Sequence, residues 1–195
     1  TNTNLNTTDA EGGTVTFTLT TAPTKGTLYN NGSALAANGT FTQADINGSK
    51  ITYIPAANAS GADSFVFTVS DGTNSVTNQT FNLTITSVND APSITSASKV
   101  SFTEGGTGTV YTATANDVDG DAISWSFAGT DAAQFTMSGS AITFKTAPSY
   151  GTPADIGANN VYDIILTAED GQGLRASIDV AVTVTAKSSG GGGGS

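Results

Sequence analysis

The heptapeptide "ANDVDGD" places Asp117, Asp119 and Asp121 around a single glycine. Carboxylates at this spacing can do two kinds of chemistry. They can fold an acidic turn through side-chain to backbone hydrogen bonds, or they can offer oxygen ligands to a hard cation. Two more polar turns share the pattern: "EDGQG", which contains Asp170, and "SVNDAPSI", which contains Asn89, Asp90 and Pro92. A pair of acids can also hydrolyse a glycosidic bond. Here the acids sit in turns and no substrate cleft is signalled, so the chain is expected to be non-catalytic.

The rest of the chain narrows the chemistry. It holds no Cys and no His. Disulfides, thiolate catalysis, imidazole–zinc sites and Ser-His-Asp catalysis are therefore excluded. Six basic residues stand against sixteen acidic ones, for a net charge of −10. Nucleic-acid binding needs a positive footprint, and none exists. An acidic surface suits solubility, cation binding, or both. No run is long enough to cross a membrane, and no leader is evident, so the sequence reads as part of something larger. The closing "KSSGGGGGS", residues 187–195, reads as a flexible, engineered linker.

The elements that position these acids are strands. In "TVTFTLT", Val15, Phe17 and Leu19 share one face; in "SFVFTVS", Phe65, Phe67 and Val69 do. Phe81, Leu83 and Ile85 repeat the pattern, as do Ile123, Trp125 and Phe127, then Tyr162, Ile164, Leu166 and Ala168, then Ile178, Val180, Val182 and Val184. Period-two alternation buries one face of a sheet against a second sheet. No segment keeps a helical period. The fold class expected is all-β, with sandwich domains.

The chain also repeats itself. "TTDAEGGTVTFTLT" aligns with "ANDVDGDAISWSFA", which puts Asp9 on Asp117, Glu11 on Asp119 and Phe17 on Trp125; "FTVSDGT" on "LTAEDGQ" puts Asp71 on Asp170. Two domains follow, 1–88 and 93–186, with 89–92 as linker. Ahead of Asp117 the second domain has 24 residues (93–116), whereas the first has 8 ahead of Asp9. The first domain is thus expected to lack its first strand. A missing strand leaves an open edge that tends to recruit another; either the sequence is simply trimmed there, or a separate peptide or neighbouring subunit donates the strand in trans.

At this point the residues resemble a known family. "VSFTEGGTGTVYTATANDVDGD", "GTDAAQF", "AITFKTAPSYGTPAD" and "NNVYDIILTAEDGQG" resemble a bacterial cadherin-like repeat. "TAPTKGTL", "FTQADINGSKITYIP" and "GADSFVFTVSDG" resemble the related cadherin-like and proteoglycan-type repeats, with "VNDAP" as the linker that ends them. The resemblance implies two tandem Greek-key (immunoglobulin/cadherin-like) β-sandwich domains in a large extracellular bacterial surface protein, often an adhesin. It also implies Ca²⁺ at the joints, neighbouring repeats as partners, and a possible cell-surface ligand.

Carried onto this sequence, the inter-domain calcium ligands expected are Asp117, Asp119 and Asp170 with Asn89 and Asp90 from the linker. Asp121 is either a further ligand or the next turn residue. Asp63 begins the strand that leads to Asp71, so it lies at the opposite pole of domain 1 and is its candidate for the joint. The outer poles are expected to hold Asp9, Glu11 and Asp71 in domain 1 and Glu104 in domain 2. Little calcium is expected at the last, where Ser149, Tyr150 and Gly151 replace the family's acidic stretch. The function implied is a calcium-rigidified spacer, with Pro92 restricting the linker. The rival readings are a glycan- or protein-binding module using Tyr29 or Tyr150, and a lysine cross-link, which is rejected because Lys50, Lys99 and Lys145 fall out of phase with the core.

Overall fold

The computed structural model describes residues 5–188. The chain divides into two units, Thr1–Val88 and Asn89–Ser195. Residues 89–92 therefore belong with the second unit. In unit 1 the strands are β1 (Thr16–Thr21), β2 (Gly26–Asn30), β3 (Ser33–Ala34), β4 (Thr40–Thr42), β5 (Ile51–Pro55), β6 (Gly61–Ser70) and β7 (Ser75–Ile85). They form two sheets, ordered β4-β1-β6-β7 and β3-β2-β5. Alternation supplies the core. Phe17 and Leu19 of β1 and Phe65 and Phe67 of β6 point inward and meet Leu28 of β2. Phe41 of β4 stacks on Phe17 with ring centroids 5.0 Å apart.

One short α-helix, along with a 3-10 turn at Ala132–Gln134 of unit 2, departs from the all-strand expectation. Helix α1 (Gln43–Asn47) starts at Thr42, whose hydroxyl accepts from the Asp45 N–H while the Asp45 carboxylate accepts from the Thr42 N–H. This reciprocal cap satisfies two free backbone donors, and Ile46 anchors the turn in the core. A single turn is too short to show a period, which is why alternation analysis passes over it.

Unit 2 is built from β8 (Ser93–Ile94), β9 (Lys99–Thr103), β10 (Thr109–Thr112), β11 (Ala115–Asn116), β12 (Ser124–Ala128), β13 (Phe135–Ser138), β14 (Ala141–Phe144), β15 (Val161–Glu169) and β16 (Arg175–Thr185). Its sheets run β12-β15-β16-β9, β10-β14-β13 and β11-β8. All pairs are antiparallel except β16 with β9, which is parallel. Tyr162, Ile164 and Leu166 of β15 and Val180, Val182 and Val184 of β16 form a fully buried floor. Phe135, Phe144 and Tyr162 close over it edge to face. The fold is thus a nearly all-β chain of sandwich units. The repeat equates β1 with β12, β6 with β15 and β7 with β16.

Candidate metal centre

At one end of unit 2 three backbone segments meet: residues 89–90, the loop between β11 and β12, and the turn between β15 and β16. The loop and the turn are each folded by their own acid. Asp117 Oδ1 accepts from the N–H groups of Asp119 (2.9 Å) and Asp121 (3.3 Å). Gly120 supplies the left-handed residue this loop needs, with φ of 81°. Asp170 Oδ1 accepts from the N–H groups of Gln172 (2.8 Å) and Leu174 (2.9 Å), which closes the β15–β16 turn.

Side chains then join the segments. Asn89 donates to Asp170 Oδ2 at 2.6 Å. The Asp90 N–H donates to Asp119 Oδ2 at 2.8 Å. Gln172 donates to both Asn89 Oδ1 (2.8 Å) and Asp121 Oδ2 (3.0 Å). The structure therefore gathers Asn89, Asp90, Asp117, Asp119 and Asp170, and adds Asp121 and Gln172. Gln172 carries no charge, and its only signal in the sequence is its place in the "DGQG" turn. Burial opposes ionisation of Asp170, but the Asn89 amide and the Leu174 and Gln172 N–H groups prevail and hold its carboxyl below the usual range.

One atom in the cluster is unsatisfied. Asp117 Oδ2 is buried and has no hydrogen-bond partner. Buried polar atoms are normally partnered, so an orphan calls for an explanation. Among the described residues, no group of three or more His, Cys, Asp or Glu side chains is placed to hold a metal ion. The amides of Asn89 and Gln172 stand between the carboxylates and take up their free oxygens. The donor set nonetheless fits a hard cation: carboxylate and amide oxygens only, with one carboxylate oxygen already desolvated and unpartnered.

Unit 1 carries the equivalent trio. Asp9 accepts from the N–H groups of Glu11 (3.0 Å) and Gly13 (2.7 Å). Asp71 accepts from those of Thr73 (2.7 Å) and Asn74 (2.6 Å). Asp9, Glu11 and Asp71 line one cleft of about 290 Å³. Hydrogen bonds from Glu11 lower the Asp9 carboxyl against the repulsion of Asp71, and those from Asn74 and Thr73 lower Asp71. A side chain at Gly13 would collide with the Asp9 carboxylate.

Asp63 has a different role from the one expected. It is 8% exposed. Its Oδ1 accepts from the Thr24 N–H (3.0 Å), the Thr24 hydroxyl (3.2 Å) and the Ser64 N–H (2.9 Å). Its Oδ2 accepts from the Lys25 N–H (2.9 Å) and the Tyr53 hydroxyl (2.7 Å). Five donors leave no lone pair for an ion, and the carboxylate ties the β1–β2 connection to β5 and β6. Burial is overcome by these donors, so Asp63 is held well below the usual carboxylate range. Burial, then the Asp63 hydrogen bond and charge, push the Tyr53 hydroxyl up to about 12.

At the far end of unit 2, Glu104 accepts from the N–H groups of Tyr150 (3.0 Å) and Lys187 (2.8 Å), so it fastens the closing segment. The Lys187 and Tyr150 N–H groups lower its carboxyl. Two buried acids of the same staple kind went unremarked in the sequence. Asp131 accepts from the N–H groups of Ile156 and Asp163, both at 2.8 Å. Asp155 accepts from those of Asn159 (2.9 Å) and Asn160 (3.1 Å). Their signal lay in the "GTDAAQF" and "GTPAD" stretches. Lys50, Lys99 and Lys145 are exposed, Tyr29 is half-buried and Tyr150 is exposed.

Comparison with known proteins places these features. Residues 1–85 match the family described as cadherin-like. Extracellular matrix protein 3 of Lytechinus variegatus is 39% identical over 90 residues, a stretch that is 46% of this chain and 3% of that protein. The match thus spans a small fraction of the relative's length. Among solved structures, human mucin-like protocadherin EC1-2 is 16% identical, with 94% of this chain and 93% of that chain covered and a TM-score of 0.54. The protocadherin gammaB7 EC3-6 cis-dimer structure is also 16% identical, with 91% and 42% covered and a TM-score of 0.58. At these identities the likeness concerns the fold: both units follow the cadherin-type sandwich. Among the described residues no helix is long and apolar enough to cross a membrane.

Proposed function

We propose that this chain is a pair of calcium-binding, extracellular spacer repeats of an adhesion protein, with no catalytic role. The observation that carries the reading is the buried, unpartnered Asp117 Oδ2 inside a cluster of oxygen donors. Asp117, Asp119, Asp121 and Asp170 would hold the ion through carboxylate oxygens, with Asn89 adding its amide oxygen. Asp90 contributes the main-chain tie to Asp119 and further negative charge. A bound Ca²⁺ supplies the positive charge that neighbouring ionised carboxylates lack. Asp9, Glu11 and Asp71 form the analogous candidate site of unit 1. Asp63 is left out because five donors saturate its two oxygens, and Glu104 because Ser149, Tyr150 and Gly151 offer no acidic partner beside it.

The chain's own residues convert ion binding into stiffness. Asn89 and Asp90 belong to the segment that joins the units, and their hydrogen bonds already fasten it to the loops of unit 2. Pro92 is buried in unit 2 and fixes its own φ. An ion that binds only the ordered loops stabilises that arrangement by mass action. A cadherin-like match over unit 1 and a relative named as an extracellular matrix protein support an extracellular setting. The bacterial-surface setting, with neighbouring repeats and a cell-surface ligand as partners, rests on the sequence resemblance. Small-angle X-ray scattering tests the spacer role. The reading expects a longer, narrower distance distribution in calcium than in chelator, and an unchanged envelope would contradict it.

A further inference from the structure

The sequence holds three Asn-Gly pairs, all in unit 1: Asn31-Gly32, Asn38-Gly39 and Asn47-Gly48. In such a pair the glycine nitrogen can reach the asparagine side-chain amide, because no Cβ stands in the way. In an unfolded chain the three are near-equivalent, since Ser or Thr follows each. The fold holds them differently.

Two pairs are fastened. The Gly39 N–H donates to the Ala36 carbonyl at 2.9 Å, and the Gly39 carbonyl accepts from the Leu19 N–H at 2.9 Å. The Asn38 N–H donates to the Leu19 carbonyl at 2.7 Å. At the end of α1 the Gly48 N–H donates to the Ala44 carbonyl at 2.9 Å. The Asn47 side-chain oxygen accepts from Gln43 Nε2 at 3.0 Å. The nitrogen that would attack is engaged in both pairs, and in the second the amide under attack is held as well.

Asn31 and Gly32 form the two-residue turn between β2 and β3. Both have positive φ, 49° and 80°, the geometry for which Asn-Gly is preferred in hairpins. The Asn31 N–H donates to the Lys50 carbonyl at 2.9 Å. Among the described residues, the Gly32 N–H and the Asn31 side chain have no hydrogen-bond partner. Both residues are exposed, and a Cβ at Gly32 would meet nothing within 4 Å. Strand β3 lies at the sheet edge and pairs with β2 at Tyr29–Ala34 and Asn30–Ser33 alone. A turn closed by so short a ladder opens locally at low cost.

We propose that Asn31 is a self-modification site, which converts to aspartate and isoaspartate in the folded chain while Asn38 and Asn47 persist. The Gly32 nitrogen attacks Asn31 Cγ. The N–Cγ bond forms, the Cγ–Nδ2 bond breaks, and the Gly32 proton leaves with the amide nitrogen as ammonia. Water then opens the five-membered imide at either carbonyl. Opening at the main-chain carbonyl leaves isoaspartate, with one extra methylene in the backbone. A two-residue turn cannot take that atom and keep its register. Strand β3 then releases, and with it Leu35, which packs against the core of unit 1. The inference stands on backbone hydrogen bonds and is independent of calcium.

The test ages the whole chain at mildly alkaline pH, folded and in urea. Cleavage at Lys25 and Lys50 releases residues 26–50, and tandem mass spectrometry reads the three asparagines separately. In the folded chain Asn31 is expected to convert at least about fivefold faster than Asn38 or Asn47, and in urea the three should fall within about twofold. Asn31→Gly, which tolerates the same φ, should abolish the fast conversion and keep amide exchange at residues 33–35 unchanged on ageing. Comparable rates at the three sites of the folded chain, or a faster rate at Asn38 or Asn47, overturn the proposal. So does the same preference for Asn31 in urea, which would place the selectivity in the local sequence. An Asn31 that stays intact in the folded chain while all three convert in urea overturns it too.

Discussion

Asp63 of unit 1 and Asp117 of unit 2 are both aspartates beside a strand end, and they do opposite things. Asp63 receives five hydrogen bonds, two of them from hydroxyls. Asp117 receives two, both on one oxygen, and its other oxygen is buried without a partner. Backbone supply makes the difference. Around Asp63, strand β5 and the β1–β2 connection present donors from outside its own turn. Around Asp117 the N–H donors come from its own loop and reach one side only. A carboxylate saturated by the fold is a staple; one left half-satisfied is available to a ligand.

The largest effect should come from removing the staple. Asp63→Ala leaves the Tyr53 hydroxyl and the Thr24 and Lys25 N–H groups without an acceptor, and should destabilise unit 1 by roughly 3–5 kcal/mol. Asp117→Ala should cost calcium-free unit 2 only about 1 kcal/mol, the net value of ordinary loop hydrogen bonds. Chemical denaturation separates the two, because the single tryptophan, Trp125, reports on unit 2 alone. Equal losses would erase the distinction between staple and ligand.

The same contrast has a pH signature. The folded pKa of Asp63 lies below its unfolded value, so its contribution is complete above about pH 4 and is lost as pH falls further. Tyr53 is shifted the other way, to about 12, so its contribution is complete below about pH 10 and is lost between there and pH 12. Unit 1 should weaken at both ends, at low pH through the donors on Asp63, led by the Thr24 N–H, and at high pH through the burial of Tyr53 and its bond to Asp63. Asp63→Asn should flatten the acid limb and Tyr53→Phe the alkaline one. Circular dichroism melts across pH check this, and parallel slopes in variant and parent would contradict it.

The strand framework was legible because alternation needs only neighbours in sequence: every alternating run named from sequence became, or adjoined, a strand. What the sequence hid was donor supply. Nothing local tells Asp63 from Asp117, since the Tyr53 hydroxyl and the Thr24 N–H reach Asp63 only through tertiary contact. Gln172 escaped for the same reason, as did Asp131, whose donors lie on Ile156 and Asp163. Helix α1 escaped because its cap, Thr42 with Asp45, is a four-residue signal inside a strand-rich stretch.

A smaller effect tests the opposite flank of each unit. In unit 1, β4 covers β1, and Phe41 caps Phe17. In unit 2 the matching strand β12 ends its sheet beside a groove of about 540 Å³ that includes Trp125, Phe127 and Met137. Thr42→Ala removes the helix cap and should cost unit 1 about 1 kcal/mol. It should leave Trp125 fluorescence and its melting transition unmoved.

The half-satisfied cluster of unit 2 is expected to bind calcium. Isothermal titration calorimetry of the chelator-treated chain with Ca²⁺, repeated on Asp117→Asn and Asp63→Asn, tests it most directly. Saturable binding is expected, weakened at least about tenfold by Asp117→Asn and retained in the Asp63→Asn variant. Heats that are flat in the parent chain, or equal losses in both variants, would contradict it.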